Sequence, residues 1–269
     1  MALRDITLGQ YFPGSTPIHK MDPRTKLIFT ILFIAALFSA QGLLTYGLLL
    51  LTLAGSIALS RIPLSTILRG MKPILFIILL TAILNLFYTP GAPIWQWNFL
   101  KITVEGLWAA FYMLLRITML ITCTFLLTYT TSPILLTDGL ERLLGPLKKV
   151  RVPVHELAMM MSIALRFIPT LIEETDKIMS AQKARGADFD TGGLLEKARA
   201  LVPLLVPLFI SAFRRADELA IAMECRCYHG GEGRTRMRQL KLQRRDYLAL
   251  LLGAALLAAV LTLRRIAIF

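Results

Sequence analysis

The chain has 269 residues, of which 56% are hydrophobic and only 17% are charged, and its formal net charge is +13. A mean hydropathy of +0.64 is too apolar for a soluble globular surface or for a disordered chain, whereas a basic excess on an apolar chain is typical of a polytopic membrane protein. Since three scattered cysteines also make no disulfide framework, the composition excludes secreted proteins and soluble enzymes.

The first 26 residues are polar and basic, with no apolar core next to the start, so we expect a cytoplasmic segment and no signal peptide. Residues 27–59 then run for 33 positions without a charge. Because a spanning helix needs about 20 apolar residues, we expect two short helices here, with a turn at Ala40-Gln41-Gly42. Residues 73–88 and 106–129 predict the third and fourth spans.

A charged block separates the fourth span from the fifth, which we predict at residues 246–263. Residues 133–245 hold 19 of the 30 basic residues and 13 of the 17 acidic ones. Basic loops stay in the cytoplasm, so we predict a cell-membrane protein whose N-terminus and charged block are cytoplasmic. The predicted order is a cytoplasmic segment, four transmembrane helices, a cytoplasmic helical domain and a C-terminal transmembrane helix, at residues 1–26, 27–129, 130–245 and 246–269.

Two apolar stretches within the charged block, residues 157–165 and 200–213, are shorter than a membrane span. Each runs directly into a charged helical stretch, so we predict two long helices near the membrane surface, kinked at Pro169 and Pro207. The predicted fold class is therefore all-α. It is a polytopic integral membrane protein with about five transmembrane helices and additional long cytoplasmic or interfacial helices.

Two positions in this topology carry charges that need an explanation. Five spans place Arg264 and Arg265 outside, against the positive-inside rule. Arg116 lies inside the fourth span, where an arginine costs roughly 2.5–3.5 kcal/mol on insertion scales. It is either a charge in a substrate path or, as we favour, an arginine that faces the helix bundle or snorkels.

The two predicted long helices end alike, each with an arginine between two small residues. The six residues concerned are Ala184, Arg185, Gly186, Cys225, Arg226 and Cys227. An arginine so placed exposes a planar donor fork that a partner surface can engage. They are equally well ordinary helix C-termini, where a cation complements the helix dipole and Gly186 caps. The two interpretations are compatible and both stay open.

These residues, with two further motifs, resemble the transmembrane T component (EcfT) of energy-coupling factor (ECF) transporters, which are ABC-type importers of vitamins and micronutrients. The resemblance covers residues 9–228. Its N-terminal motif comprises Gly9, Tyr11, Ser15, His19, Asp22, Pro23, Arg24 and Lys26. Its central motif is Arg166-Phe167-Ile168-Pro169 followed by Glu173. Asp22 is expected to cap the first helix and Pro23 to begin it.

The resemblance implies a coupling scaffold, not an enzyme. Two ABC-type ATPase subunits would dock on the two arginine motifs, and long coupling helices would hold a membrane-embedded substrate-binding S component within the lipid bilayer. Met159, Met160 and Met161 would belong to the S-component surface, since flexible methionines suit varied partners. Cys225 and Cys227 depart from the more usual alanine and glycine, which puts the fit of the second motif in doubt.

No Gly-x-x-x-x-Gly-Lys-Ser/Thr phosphate loop occurs in the chain, so we expect no bound cofactor and ATP bound by the partner subunits. Three other interpretations are less favoured. A metal site at Cys225, Cys227 and His229 lacks further ligands, and the basic residues 234–245 adjoin a membrane span, where they fit lipid better than nucleic acid. The serious alternative is an integral membrane enzyme whose active site comprises His155, Glu173, Glu174 and Asp176.

Overall fold

The structure is a computed structural model that describes residues 11–91, 93–97, 100–187, 189, 193–231 and 240–268. Within these residues the chain forms eight α-helices, one short 3-10 helix at Gly145–Val150 and one two-stranded ribbon. The helices are α1 Pro23–Ser39, α2 Leu43–Ser60, α3 Leu64–Tyr88, α4 Val104–Thr130, α5 Pro133–Leu143, α6 Val154–Ala184, α7 Leu194–Cys225 and α8 Arg244–Ile268. The all-α polytopic class predicted from the sequence is thereby confirmed.

The described chain has only one sheet, an antiparallel ribbon of β1, Pro93–Trp97, and β2, Leu100–Thr103. It lies in the loop between α3 and α4, where the sequence predicts turns. Thr103 then caps α4, because its hydroxyl accepts a hydrogen bond from the Gly106 N–H at 3.0 Å.

The chain divides into two compact units. Of the described residues, those in 11–139 and 240–268 form one, which we call the membrane unit, and those in 140–231 form the other, which we call the hairpin unit. The membrane unit contains α1–α4 and α8, and the hairpin unit contains α6 and α7. The boundary falls within α5.

The predicted turn at residues 40–42 separates α1 from α2. Gly42 has φ +82°, in the region that favours glycine, and it directly precedes α2. The two helices have 17 and 18 residues, so each is about 26 Å long at 1.5 Å per residue. The uncharged run therefore folds as two short helices, as predicted.

The core of the membrane unit lies between α1, α2, α4 and α8, and its fully buried side chains include Phe33, Leu49, Met119 and Val260. In this core α8 runs parallel to α1. The Asp246 carboxylate accepts a hydrogen bond from the Asp22 N–H, and Gly253 lies against Phe29; both pairs are 224 residues apart. A Cβ at position 253 would lie 3.1 Å from the Phe29 ring, so glycine permits this close approach.

Five described helices are long and apolar enough to cross a membrane, namely α2, α3, α4, α6 and α8. This set differs from the predicted spans at two places. The 17-residue α1 is not among the five, although we predicted a span there. The 31-residue α6 is among them, although we predicted an interfacial helix. The reason is that α6 continues the apolar stretch of residues 157–165 into one uninterrupted helix.

In the hairpin unit, α6 and α7 pack antiparallel. The Glu174 carboxylate contacts Ser211 and Arg215, while the Gln182 side-chain amide donates to the Pro203 carbonyl at 3.3 Å. Later residues of α6 therefore face earlier residues of α7. Each helix joins an apolar stretch to a charged one, as predicted, and α6 and α7 continue through their internal prolines.

Candidate functional site: two arginine-capped helix ends

The C-terminal end of α6 is a Schellman motif with Arg185 at the C-cap. The Gly186 N–H donates to the Lys183 carbonyl at 3.0 Å, and the Ala187 N–H donates to the Gln182 carbonyl at 3.0 Å. Gly186 has φ +90°, and no atom lies within 4 Å of the position that a Cβ would take. This is the hydrogen-bond pattern with which many helices end.

The C-terminal end of α7 repeats this geometry with Arg226 at the C-cap. The Cys227 N–H donates to the Glu224 carbonyl at 2.8 Å, and the Tyr228 N–H donates to the Met223 carbonyl at 3.1 Å. Cys227 has φ +54°, so it occupies the left-handed position that Gly186 occupies in the first motif. Arg185 and Arg226 therefore project from equivalent points of two equivalent helix ends.

The structure separates the two cysteines, which the sequence analysis treated alike as small flanking residues. Cys225 is the last residue of α7, whereas Cys227 adopts a left-handed conformation that costs an L-residue about 1–2 kcal/mol. The signal was present in the sequence, because aligning the motifs on their arginines places Cys227 against Gly186. The left-handed conformation of Cys227 itself was not predicted and comes from the structure.

We expect Cys227→Gly to stabilise the end of α7. The relieved strain of about 1–2 kcal/mol exceeds the roughly 0.4–1 kcal/mol by which glycine favours the unfolded chain. Hydrogen exchange of the Tyr228 amide should slow by about threefold to fivefold, since a factor of ten corresponds to 1.4 kcal/mol. The matched control is Gly186→Ala, which should accelerate exchange at Ala187. Unchanged exchange in Cys227→Gly would show that position 227 carries no strain.

All six residues of the two motifs are exposed, and both cysteines are free thiols. No described hydrogen bond or ion pair occupies the guanidinium of Arg185 or Arg226 within the part of the chain that the structure describes. Each arginine therefore presents its donor fork to solvent on a backbone fixed by the Schellman bonds. That geometry suits a carboxylate or a set of backbone carbonyls on another protein.

The antiparallel packing places the two helix ends at opposite ends of the α6–α7 pair. Gln182 near the end of α6 contacts Pro203, whereas Met223 near the end of α7 lines an apolar groove together with Ile163 and Phe167. The 19 residues from Ile163 to Gln182 correspond to roughly 28 Å of helix. The two arginines therefore reach two places, not one.

One polar contact fixes the register of α6 against α7. The Glu174 carboxylate accepts hydrogen bonds from Arg215 Nε at 3.1 Å and from the Ser211 hydroxyl, and Arg215 also pairs with it at 2.8 Å. Such a two-point contact between an arginine and a carboxylate is directional. Glu174 is thus occupied in holding the two helices together.

The residues of the alternative enzyme hypothesis do not form one site. His155 pairs with Glu141 at 2.9 Å near the start of α6, whereas Glu173 is exposed 18 residues further along the same helix, which is about 27 Å away. Asp176 lies one turn beyond Glu173. Because a catalytic base must be within hydrogen-bond reach of its partner, this arrangement does not support catalysis by these residues.

The less favoured interpretation, a metal site at Cys225, Cys227 and His229, gains no support from the described residues. His229 Nδ1 donates to the Cys227 carbonyl at 2.8 Å, so this nitrogen is directed at the backbone. Among the described residues, no group of three His, Cys, Asp or Glu side chains is placed to hold a metal ion. Gly9 of the N-terminal motif and Arg234, Arg236 and Arg238 of the basic stretch lie outside the described residues.

The N-terminal motif forms a polar cluster in the membrane unit. Asp22 accepts from the Arg24 N–H at 3.0 Å, as expected of a helix cap, and Pro23 begins α1. Arg24 donates to the Leu240 carbonyl at 3.1 Å. The buried Lys26 ammonium donates to the Thr130 carbonyl at 2.8 Å, to the Thr131 hydroxyl and to the His19 carbonyl. The motif therefore joins the start of α1 to the end of α4 and to the chain that leads into α8.

This cluster converges on Asp246, which was not predicted from the sequence. It is 1% exposed, and its two carboxylate oxygens accept from the Asp22 N–H at 2.9 Å and the Gln243 N–H at 2.7 Å. Its only sequence signal was its place at the start of the fifth apolar run.

His19 lies at the edge of the cluster, where its surroundings favour the neutral ring. Burial lowers its pKa, the Lys26 charge lowers it further, and the hydrogen bond to the Phe12 carbonyl opposes both. A neutral ring fits its contacts, since Nε2 lies 3.1 Å from the Phe12 carbonyl as a donor and Nδ1 lies 2.6 Å from the Thr16 hydroxyl as an acceptor.

The three methionines of the predicted partner surface lie in the first half of α6. Met160 is 56% exposed and Met161 is 40% exposed, while Met159 is half-buried. Two of them therefore present flexible apolar side chains at the surface of the hairpin unit.

Comparison with known proteins identifies the family of the chain. Residues 14–237 match the family described as CbiQ, cobalt transport protein. Three curated relatives are each described as energy-coupling factor transporter transmembrane protein EcfT. That of Ruminiclostridium cellulolyticum is 56% identical over 91% of this chain and 92% of its own length. That of Clostridium kluyveri is 55% identical over 94% and 95%, and that of Bacillus subtilis is 51% identical over 95% and 97%. The chain therefore belongs to the EcfT family, the multi-pass transmembrane components of energy-coupling factor transporters.

Proposed function

We propose that this chain couples ATP hydrolysis by two ABC-type ATPase subunits to substrate uptake through a membrane-embedded S component. One ATPase receives the helix end that carries Arg185, and the other receives the helix end that carries Arg226. The chain itself binds no ATP and needs no cofactor, since it contains no phosphate loop. The transported compound, a vitamin or another micronutrient, is selected by the S component.

The observation that carries this proposal is the equivalence of the two helix ends. Both have arginine at the C-cap and the following residue in the left-handed conformation, and both are closed by the same pair of backbone hydrogen bonds. Two equivalent projections at opposite ends of the helix pair suit two equivalent sockets on a pair of similar subunits. A single helix end of this kind would be an ordinary C-terminus.

The parallel packing of α1 and α8 supports a common side for the two arginine motifs. If α1 and α8 both cross the membrane in the same direction, an odd number of crossings lies between them. The three helices α2, α3 and α4 meet that condition. A crossing by α6 alone would violate it, and α7 is not among the five described helices that are long and apolar enough to cross. We therefore propose that neither α6 nor α7 crosses and that residues 140–231 lie in the cytoplasm, as the basic charge also favours.

The same packing accounts for the two arginines that oppose the positive-inside rule. Since α8 is parallel to α1, its C-terminal end shares the side of the α1–α2 turn. With the N-terminus in the cytoplasm, Arg264 and Arg265 lie outside. The burial of α8 against α1, with Val260 fully buried, stabilises this orientation despite the two charges.

For the S component we propose the exposed first half of α6 as the contact surface. Met160 and Met161 offer adaptable apolar contacts there. A sliding or tilting movement of α6 would carry motion from the Arg185 end to this surface, because both lie on the same helix. Glu174, which lies between the two on α6, joins this helix to Ser211 and Arg215 of α7.

The decisive test of the function is co-purification of the full chain with its two ATPase subunits and an S component. We expect one complex that contains both ATPases and hydrolyses ATP with substrate-dependent uptake in proteoliposomes. The proposal would be contradicted if the chain purified without any ATPase subunit from cells that also express both ATPase subunits and the S component.

Impermeant thiol labelling tests the proposed sides of the membrane. Cys225 and Cys227 are exposed, whereas Cys123 is buried, so labelling reports on the α7 end. We expect these thiols to react only in inverted vesicles or opened cells. The converse test uses a chain that lacks both exposed thiols, through Cys225→Ser and Cys227→Ser, and carries Arg265→Cys. We expect this new thiol to react in intact cells. Labelling of Cys225 or Cys227 from outside intact cells would disprove the topology.

A further inference from the structure

The membrane unit contains a cavity that the proposed coupling mechanism does not use. It has a volume of about 270 Å³, and residues of α1, α2, α4 and α8 line it. Most of the lining side chains are aliphatic or aromatic, and they include Phe29, Phe33, Leu53, Leu126 and Leu252. Apolar cavities of about 150 Å³ stay dry and bind apolar molecules. The cavity therefore suits an apolar ligand or an apolar part of a larger one.

Lys26 is the charged residue of the cavity wall, and its ammonium is already occupied. It donates to the Thr130 carbonyl, to the Thr131 hydroxyl and to the His19 carbonyl. An ammonium has three N–H donors, so these three contacts leave none for a ligand. A negative charge on the ligand must therefore be bound outside the cavity.

The exposure of the lining residues separates a mouth from a back wall. Leu59 of α2 is 59% exposed and Leu248 of α8 is 68% exposed, whereas Phe33 of α1 is 1% exposed. Cys123 and Leu126 of α4 are buried like Phe33. The cavity therefore opens where α2 and α8 carry exposed leucines, and α1 and α4 close it.

The lining residues also define the depth of the cavity. They lie near the ends at which α1 and α8 begin and α2 and α4 end; Thr130, for example, is the last residue of α4. The deepest on α1 is Phe33, which is 10 residues from Pro23, or about 15 Å along the helix. This is half the thickness of a hydrocarbon core of about 30 Å. In the proposed topology the cavity thus spans the hydrocarbon of the cytoplasmic leaflet.

Arg245 lies at the cytoplasmic end of the same face of α8. Leu248, Ala249 and Leu252 line the cavity, and Arg245 precedes them by three, four and seven positions, the spacing that places residues on one helix face. Its side chain is exposed, and one terminal nitrogen donates to the Gln243 side-chain carbonyl at 3.0 Å. An arginine has five N–H donors, so others remain for an anion.

Two further cations adjoin the same end of the cavity. Lys20 lies between Ile18 and Met21, which both line the cavity, and Arg61 follows the mouth residue Leu59 by two positions. Both side chains are exposed. Three elements that form the cavity thus each place a cation at its cytoplasmic end.

We propose that this cavity binds one acyl chain of an anionic phospholipid from the cytoplasmic leaflet. The phosphate lies at the headgroup level, where Arg245 donates to it and Lys20 and Arg61 add positive charge. The acyl chain enters between Leu59 and Leu248 and ends against the back wall of α1 and α4. Charge and depth therefore agree, since the cations and the cavity follow one another from the membrane surface inwards. The leaflet assignment rests on the topology given under the proposed function.

Photo-crosslinking tests the site on the full chain in phosphatidylcholine nanodiscs. The probes are phosphatidylglycerol and phosphatidylcholine, each with a diazirine in one acyl chain and each added at the same small mole fraction. Peptide mass spectrometry then locates the adducts. We expect adducts at Cys123 and Leu126, which are buried in the back wall and beyond the reach of lipid that only surrounds the helices. Their yield should be about tenfold higher with phosphatidylglycerol, because each basic residue near the surface favours anionic lipid about fivefold.

Charge variants test the headgroup contacts. Arg245→Gln should lower the ratio of the two yields about fivefold, and the triple change Lys20→Gln, Arg61→Gln and Arg245→Gln should bring it to about one. Arg265→Gln is the matched control, since it removes an exposed arginine from the opposite end of α8. It should leave the ratio at the wild-type value.

A filling variant tests the acyl chain separately from the charge. Ala249→Phe places a ring in the cavity, so the adducts at Cys123 and Leu126 should be lost with both probes. Ala254→Phe is the matched control, because Ala254 is an exposed residue of α8 that does not line the cavity. Its adducts should match those of the wild type.

Three results would overturn the proposal. Without adducts at Cys123 and Leu126 in the wild-type chain, the cavity would be closed to lipid and left to a small apolar molecule or a protein partner. Equal yields with the two probes would mean that any bilayer lipid fills it. An unchanged ratio in the triple charge variant would exclude these cations as the headgroup site. Because the nanodiscs contain no ATPase or S component and expose both leaflets, these outcomes are independent of the coupling proposal and of the topology.

Discussion

A chain that carries both Arg185→Ala and Arg226→Ala should lose both ATPase subunits and all coupled transport. Docking would bury each guanidinium against its hydrogen-bond partners, and truncating one such buried charge costs about 2–5 kcal/mol. Each single variant should therefore weaken ATPase binding by about 30-fold or more, since 1.4 kcal/mol corresponds to a factor of ten. The two losses should add, because the two motifs lie at opposite ends of the α6–α7 pair and share no contact.

The measurement is the affinity of the purified chain for each ATPase subunit, with transport in proteoliposomes as the second readout. Lysine at either position should rescue poorly, since it supplies charge without the planar fork. Arg214→Ala is the matched control, because it removes an exposed arginine from the middle of α7. If the double alanine variant binds both ATPases as the wild type does, the two arginines are only helix caps.

Asp246→Ala should destabilise the membrane unit by about 3–5 kcal/mol, as breaking a buried charged contact typically does. The substitution leaves the Asp22 N–H and the Gln243 N–H without their acceptor and removes the carboxylate from the neighbourhood of buried Lys26. Both orphaned amides lie at helix starts, so α1 and α8 would lose their common anchor. The expected readout is a lower unfolding temperature in detergent and reduced expression.

Two variants make the Asp246 prediction specific. Asp246→Asn keeps one acceptor oxygen and should cost about 1–2 kcal/mol, near the loss of one buried hydrogen bond. Asp217→Ala removes an exposed carboxylate from α7 and should change stability by less than about 0.5 kcal/mol. An Asp246→Ala chain as stable as the wild type would show that this cluster does not hold α8 to α1.

Local sequence patterns were sufficient for most of the helices. The uncharged run of residues 27–59 divides at residues 40–42 because a helix of about 20 apolar residues spans a bilayer and Gly42 can adopt φ +82°. Asp22 and Pro23 begin α1 because capping depends on the next two or three residues alone. The arginine motifs were likewise recognisable, since each occupies a few consecutive positions.

Only the tertiary structure decided how these elements are used. Hydropathy does not give helix direction, so the parallel pairing of α1 and α8 and the anchor role of Asp246 came from contacts between residues 224 positions apart. The left-handed conformation of Cys227 depends on hydrogen bonds to the preceding turn and not on cysteine itself. Arg116 was only a charge in an apolar run until Tyr46 and Phe38 placed it beside the turn of a shorter hairpin. In each case the sequence specified the residue, while its partners lay on other helices or turns, and packing alone determines which of these meet.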